Sequence, residues 1–401
     1  MPEAVIVATG RTPIGRANKG SLVDCRPDDL GALVVRSVLE TIPQLDHSQI
    51  DDLILGCGQP AGEAGFNLAR VVAILAGLPT VPGVTVNRYC SSSLQAIRMA
   101  SHAIKAGEGD VFVCAGVETV SRFAHGMSDR GPHNPLFADA EARTEMRTPK
   151  VGDTWTPPVG LPDIYMNMGQ TAENVAELEG VSRQQQDEFA ALSQQRAVES
   201  QQNGFFEHEI IPVTTPDGKV VAKDDGPREG TTAEGLANLK PVFREGGSVT
   251  AGNACPLNDG AAAIVVMSDT KATELGLTPV ARIVSSGVTA LDPEIMGLGP
   301  IEASRQALRR AGKTIADIDL VEINEAFAAQ VIPSAKHLGI SWDKLNIKGG
   351  AIALGHPFGM TGARIMTTLL HALRDEDKTF GLETMCVGGG QGMAMVVERL
   401  S

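Results

Sequence analysis

The feature that most constrains this chain is an internal repeat. Near the N-terminus a predicted helix, residues 28–40, leads into Ile50-Asp51-Asp52-Leu53-Ile54-Leu55. Far downstream a helix predicted over 301–311 leads into Ile318-Asp319-Leu320-Val321-Glu322-Ile323. Each run is followed by a second strand-like segment, Val84-Thr85-Val86 in the first copy and Leu345-Asn346-Ile347 in the second, and then by another helix. Asp52 to Cys90 is 38 positions and Asp319 to His356 is 37. Matched spacing of this kind implies two similar α/β halves about a pseudo-twofold axis. Each half brings a loop and a helix mouth to a shared centre.

The remaining elements fit that frame. Apolar runs at 4–8, 51–56, 110–116 and 260–267 read as strands, most of them buried. Leu30, Leu33, Val34 and Val38 mark the buried side of the 28–40 helix, and 67–76 is a helix ended by Gly77 and Pro79. Between about 121 and 162 the periodicity disappears and prolines recur at 132, 135, 149, 157, 158 and 162, which predicts a long functional excursion. Two helices follow, 169–179 and one beginning at Ser182, where Gln185 is placed for a capping box and Asn203-Gly204 ends the run. Short strands are expected at 210–213 and 218–222. The last elements are a helix at 361–373 and strands at 380–386 and 393–397. The chain therefore divides into a first half, 1–120, completed by 251–277, an inserted loop domain, 121–250, that covers the centre, and a second half, 278–401.

Composition removes several function classes. A net charge of −14 with two Trp, two Tyr and no long basic run argues against nucleic-acid binding. The six cysteines, Cys25, Cys57, Cys90, Cys114, Cys255 and Cys386, include no Cys-x-x-Cys pair, so neither a zinc site nor a disulfide framework is expected. No apolar run approaches membrane-spanning length, and residues 1–10 lack a signal-peptide layout, so the expected compartment is reducing and cytoplasmic.

The chemistry gathers on four short stretches. Cys90 follows a β-branched run and stands ahead of Ser91-Ser92-Ser93 and a helix that closes at Gly107. Unpaired N–H groups at a helix mouth favour a thiolate. A buried structural cysteine is the alternative reading of the same context. Asn324-Glu325-Ala326-Phe327 follows a strand directly. Gly349 to Arg364 is a glycine-rich loop holding His356-Pro357, and Cys386-Val387-Gly388-Gly389-Gly390 is a glycine turn between two strands. Neither glycine run has the pattern of a phosphate loop. The other histidines carry no comparable context. A Cys, a His able to act as base and a second Cys able to pass a proton suggest acyl transfer through a thioester with proton transfer at carbon.

Taken together these motifs resemble the thiolases, acyl-CoA acyltransferases, over essentially the whole chain. The resemblance implies an α/β thiolase fold, two similar five-stranded αβαβα halves with an inserted loop domain, assembled as a homotetramer. It implies that Cys90 takes the acyl group, His356 activates Cys90 and Cys386 moves the α-carbon proton. It also implies two oxyanion holes, one from His356 and a water held by Asn324, the other from the N–H groups of Cys90 and Gly388. The substrates would be CoA and acyl-CoA, with no metal and no separate cofactor. Arg228, and Phe243 in Leu239-Lys240-Pro241-Val242-Phe243, match the family's nucleotide contacts. Met168, Ala326 and Phe327 match pantetheine and acyl contacts. Cys255 stands where many thiolases have serine, Asn167 where several have histidine, and Ser93 where glycine is common. A ketoacyl synthase of the same superfamily and an inactive acyl-CoA-binding scaffold are the rival functions.

Overall fold

The computed structural model describes residues 2–125, 128, 129, 131–147 and 154–401. Pro149 of the proline-rich excursion lies outside them. The strands are β1 (Ala4–Arg11), β2 (Gly15–Arg16), β3 (Asp52–Gly56), β4 (Gly83–Val86), β5 (Val111–Thr119), β6 (Val213–Thr214), β7 (Val220–Val221), β8 (Asn258–Ser268), β9 (Ala281–Ala290), β10 (Leu320–Ile323), β11 (Phe380–Val387) and β12 (Gln391–Arg399).

The main sheet runs β4-β3-β5-β8-β1 on one flank and β9-β12-β11-β10 on the other. The flanks meet where Val5 and Ile6 of β1 pair antiparallel with Arg282 and Ala281 of β9. Their pairing mirrors. On the first flank β3 is parallel to β4 and β5, and β8 is antiparallel to β5 and β1. On the second, β10 is parallel to β11, and β12 is antiparallel to β11 and β9. The mirror is incomplete at one place. Leu345-Asn346-Ile347, expected as a strand, forms only a parallel bridge from Leu345 to Val321. Asn346 has a left-handed φ of 46°, which no extended strand accommodates. Its side-chain amide takes over the ladder, accepting from Ile323 N–H and donating to Ile323 O, both at 2.9 Å.

Strand alternation divides β8 between two cores. Ile264 and Val266 face the central core, while Val265 and Met267 face the outer core with Leu30, Val34 and Val113. The central core is filled by two helices, Ser92–Ala106 and Thr361–Asp375, which pack on each other and contribute Leu94, Ile97, Ile365, Met366 and Leu369. On the far side of the second flank the helices Gly299–Ala311 and Ala328–Leu338 cover β10 and β12. Helix, sheet, helix, sheet, helix is the layer order. The central helices approach closely because Gly362 has no side chain: a Cβ there would stand 2.4 Å from Leu94 N. Ser93 Oγ, accepting from Ala363 N–H at 2.9 Å, pins the same crossing.

Several elements differ from expectation. β9 escapes the pattern because Ser285-Ser286-Gly287 interrupts it. The helix Ala328–Leu338 carries Pro333 inside it. Within the proline-rich excursion a short helix, Ala138–Arg147, forms on mostly polar residues. The expected 210–213 and 218–222 strands shrink to the two-residue pair β6 and β7. The expected capping box is present, with Ser182 capping the helix Arg183–Gln202.

Candidate active site

Strand β4 delivers the chain to Tyr89, whose φ of 42° is left-handed, a costly conformation for an aromatic residue. The turn places Cys90 on the 3-10 segment Tyr89–Ser91, ahead of the helix Ser92–Ala106. The serines build this turn instead of capping the helix. Ser92 Oγ accepts from Arg88 N–H at 2.9 Å and donates to Tyr89 O at 2.7 Å, and Ser91 Oγ donates to Arg88 O at 3.2 Å. Burial pushes the Cys90 thiol up to about 11, although the N–H groups of Gly388 and of Cys90 itself pull it down. The helix-mouth argument favoured a thiolate at Cys90. Here desolvation outweighs the N–H groups, and the resting sulfur is a thiol.

His356 arrives on a loop fixed by Asn258. The Asn258 Oδ1 accepts His356 N–H at 2.9 Å, and its Nδ2 donates to Gly15 O at 3.0 Å. The imidazole Nδ1 lies 2.6 Å from Thr361 Oγ1, and Thr361 gives its own proton to Pro357 O at 2.8 Å. Nδ1 is therefore the donor, and Nε2 keeps its lone pair. Asn324 Nδ2 stands 3.3 Å from that Nε2. Burial, reinforced by the Arg364 charge, lowers the imidazole to about 3, so it is neutral at any working pH. Asn324 follows β10 and is tied at both ends of its peptide, by Thr384 O and by Gln330 Nε2 at 2.6 Å.

Cys386 is the last residue but one of β11, and Gly388 to Gly390 turn the chain into β12. Burial drives the Cys386 thiol well up, and the neighbouring thiols Cys90 and Cys255 push the same way. The three sulfurs thus lie within electrostatic reach of one another. Tyr89 and Met168 flank Gly388: a methyl there would meet the Tyr89 ring at 3.4 Å and Met168 Sδ at 3.8 Å.

Five of the binding candidates converge on this site. Met168, Phe243, Cys255, Ala326 and Phe327 pack in one apolar cluster with Cys386. Cys255 N–H donates to Ala326 O at 3.0 Å, and the Phe243 and Phe327 rings meet edge to face at 6.1 Å. Asn167 has a local job, capping the helix Met168–Glu179 by accepting Gly169 N–H at 2.9 Å. Arg228 lies outside the cluster on an exposed loop. Its N–H donates to Gln194 Oε1 at 2.8 Å, and its charge opposes that of Arg16. A Cβ at Gly226 would stand 2.0 Å from Ala353 O, so this loop presses on the turn that leads to His356.

Three supporting residues were not singled out from the sequence. Asn258 and Thr361 orient His356. Glu118, at the end of β5, accepts N–H groups of Gly58 (2.7 Å), Gln59 (3.1 Å) and Gly359 (2.8 Å), tying the loops of the two halves together. Burial raises its carboxyl to about 7 against the pull of those donors. The one sequence signal for Glu118 is a carboxylate at the end of an otherwise apolar strand. Asn258 and Thr361 carry none.

Comparison with known proteins places this geometry. Residues 4–270 match the thiolase N-terminal domain, and residues 277–399 match the thiolase C-terminal domain. The chain belongs to the thiolase family. A 3-ketoacyl-CoA thiolase of Bacillus subtilis (strain 168) is 44% identical over 415 residues, covering 99% of this chain and 100% of that protein. An acetyl-CoA acetyltransferase of Escherichia coli (strain K12) is 44% identical, with 100% of both chains covered. The crystal structure of Bacillus anthracis acetyl-CoA acetyltransferase matches with a TM-score of 0.85 at 39% identity, covering 100% of this chain and 99% of that one. The fold is the thiolase fold, and the chain is an enzyme of that family. Among the described residues no group of three His, Cys, Asp or Glu side chains is placed to hold a metal, and no helix is long and apolar enough to cross a membrane.

Proposed function

We propose that this thiolase cleaves 3-ketoacyl-CoA with CoA, and in reverse condenses two acetyl-CoA, through an acyl group carried on Cys90. The observation that supports this most directly is that the Cys90 sulfur is flanked by the backbone N–H groups of Gly388 and of Cys90 itself, with the Cys386 sulfur within electrostatic reach. N–H groups beside that sulfur stabilise it as it ionises, and once an acyl group is attached they lie next to its carbonyl oxygen.

The roles follow from the protonation states. His356 Nε2 accepts the Cys90 proton as the sulfur attacks the thioester carbonyl. Once protonated, the same Nε2–H becomes a donor beside Asn324 Nδ2, suited to the second oxyanion. His356 returns that proton to the departing CoA thiolate and then takes the Cys386 proton, so that Cys386, as the thiolate, takes the α-carbon proton in condensation and returns it in thiolysis. Met168, Phe243, Cys255, Ala326 and Phe327 form the pantetheine and acyl wall, and Arg228 meets the nucleotide end. The segment 121–250 acts as the covering domain between the halves 1–120 with 251–277 and 278–401. The reaction needs no metal or separate cofactor. The working form is a cytoplasmic homotetramer.

Two half-reactions test the assignment. Acetyl-CoA should leave an acetyl adduct on Cys90 in intact-mass spectrometry, absent in Cys90→Ala. Cys386→Ser should still form the adduct and exchange labelled CoA with acetyl-CoA, while condensation and thiolysis fall roughly 10²- to 10⁴-fold. His356→Ala should lose acylation as well. Equal loss of exchange and condensation in Cys386→Ser would show that Cys386 also serves acylation.

A further inference from the structure

Beside the site one guanidinium reaches from the first half to the second, and the chemistry above leaves it unassigned. Arg88 stands two residues before Cys90, in the turn that carries the sulfur. Its peptide is held inside that turn. The N–H donates to Ser92 Oγ at 2.9 Å, and the carbonyl accepts Ser91 N–H at 3.0 Å and Ser91 Oγ–H at 3.2 Å. The side chain leaves the turn in two directions. Nε donates to Gln95 Oε1 at 3.0 Å, in the first turn of the helix Ser92–Ala106. Nη1 donates to Gln391 Oε1 at 2.7 Å, across 303 positions of sequence.

Gln391 is the first residue of β12 and closes the glycine turn that begins at Gly388. A guanidinium carries donors only, so each glutamine presents its amide oxygen to it. For Gln391 this turns the amide NH₂ back over its own turn, where Nε2 stands 3.4 Å from Gly388 O. The second half holds the glycine turn from behind. Leu291 N–H donates to Gly390 O at 2.8 Å, and a Cβ at Gly390 would stand 2.4 Å from Leu291 O. In front, β11 packs against the Tyr89–Ser91 segment. The Arg88–Gln391 bond, short and charge-assisted, thus joins the turn of Cys90 to the turn of Gly388.

N–H groups supplied by two loops serve one oxyanion only when the loops keep a fixed separation. We propose that Arg88 and Gln391 are a positioning pair, whose hydrogen bond sets the separation of the Cys90 turn from the Gly388 turn and so the fit of their N–H groups to the thioester oxygen. The proposal rests on the function proposed above for what is positioned, but not for the bond itself. Both side chains are only partly buried, so truncating either one strands no fully buried charge.

A double-mutant cycle on the full-length enzyme tests it, with Arg88→Met, Gln391→Leu and the double variant compared by thiolysis, by exchange of labelled CoA with acetyl-CoA and by urea denaturation. Each single variant should lose roughly 10- to 100-fold in kcat, the scale of a small displacement of reacting groups, with KM for CoA within about twofold. Exchange should fall with thiolysis, because both pass through the Cys90 thioester. The double variant should be little worse than the poorer single in every readout, since either change alone already breaks the bond. Arg88→Lys keeps a donor and should recover kcat relative to Arg88→Met, and that recovery should vanish in the Gln391→Leu background. The Lys variant also keeps the test open should Arg88→Met fail to fold. Effects that simply multiply in the cycle, a Lys recovery that survives Gln391→Leu, a loss confined to KM, or a loss of thiolysis with full exchange would overturn the positioning pair. A wild-type enzyme that forms no acetyl adduct on Cys90 would overturn the functional reading instead, and the denaturation cycle would still decide whether Arg88 and Gln391 couple the two turns.

Discussion

A single hydroxyl sets the tautomer of His356, the base of the proposed reaction. Thr361 Oγ1 spends its proton on Pro357 O and so can only accept from His356 Nδ1. Thr361→Val keeps the shape and removes the acceptor. It leaves a buried ring N–H unmatched, at a cost of about 1–3 kcal/mol, and favours the tautomer with the proton on Nε2. Thiolysis and CoA exchange should then fall together, by roughly 10- to 100-fold, while KM for CoA stays near the wild-type value. A variant that lost thiolysis but kept full exchange would show that Thr361 does not act through the base. The same scale explains Ser93. In place of a common glycine it supplies a hydroxyl that ties the two central helices, so the departure adds a contact and leaves the Cys90 turn to Ser91 and Ser92.

At the scale of elements, loops from opposite halves are joined by buried side chains. Glu118 is the clearest case, because one carboxylate holds the turn at Gly58 and Gln59 from the first half and Gly359 from the second. Its carboxyl is raised by burial to about 7 from an ordinary 4.5, so the folded state binds this proton more tightly than the unfolded chain does. The resulting stability is fully present below the ordinary range and is lost as pH rises through about 7, with a slope of at most about 1.4 kcal/mol per pH unit. Glu118→Gln cannot titrate. Urea denaturation at several pH values between 5 and 8 should show a steeper decline for the wild type than for Glu118→Gln. Identical slopes would remove Glu118 from the pH dependence. The element the repeat misassigned obeys the same logic, since Asn346 turns left-handed and its amide replaces the missing ladder bonds.

For the whole molecule the governing quantity is charge. A chain at −14 that binds polyphosphate-bearing CoA needs local cations at the entrance. In the function proposed above, exposed Arg228, with the Arg16 charge within electrostatic reach, is the cation that meets the nucleotide end of CoA. Arg228→Ala should raise KM for CoA substrates roughly tenfold, as for loss of one charge-assisted contact of about 1.5 kcal/mol, with kcat nearly unchanged. A fall in kcat at constant KM would move Arg228 out of the binding role. The repeat and most of the strands were legible in the sequence, as were the turns that carry the candidates Cys90, His356 and Cys386, whereas Asn324 and Gly388 entered only through the family resemblance. Hydrophobic period and repeat spacing are local, and reactive residues beside glycine turns leave a local signature. The thiol state of Cys90, the tautomer of His356 and the contacts made by Asn258, Thr361 and Glu118 were not legible. Each depends on desolvation or on a hydrogen bond between segments distant in sequence, such as Asn258 to His356 or Glu118 to Gly359, and only the packed tertiary structure brings those partners together.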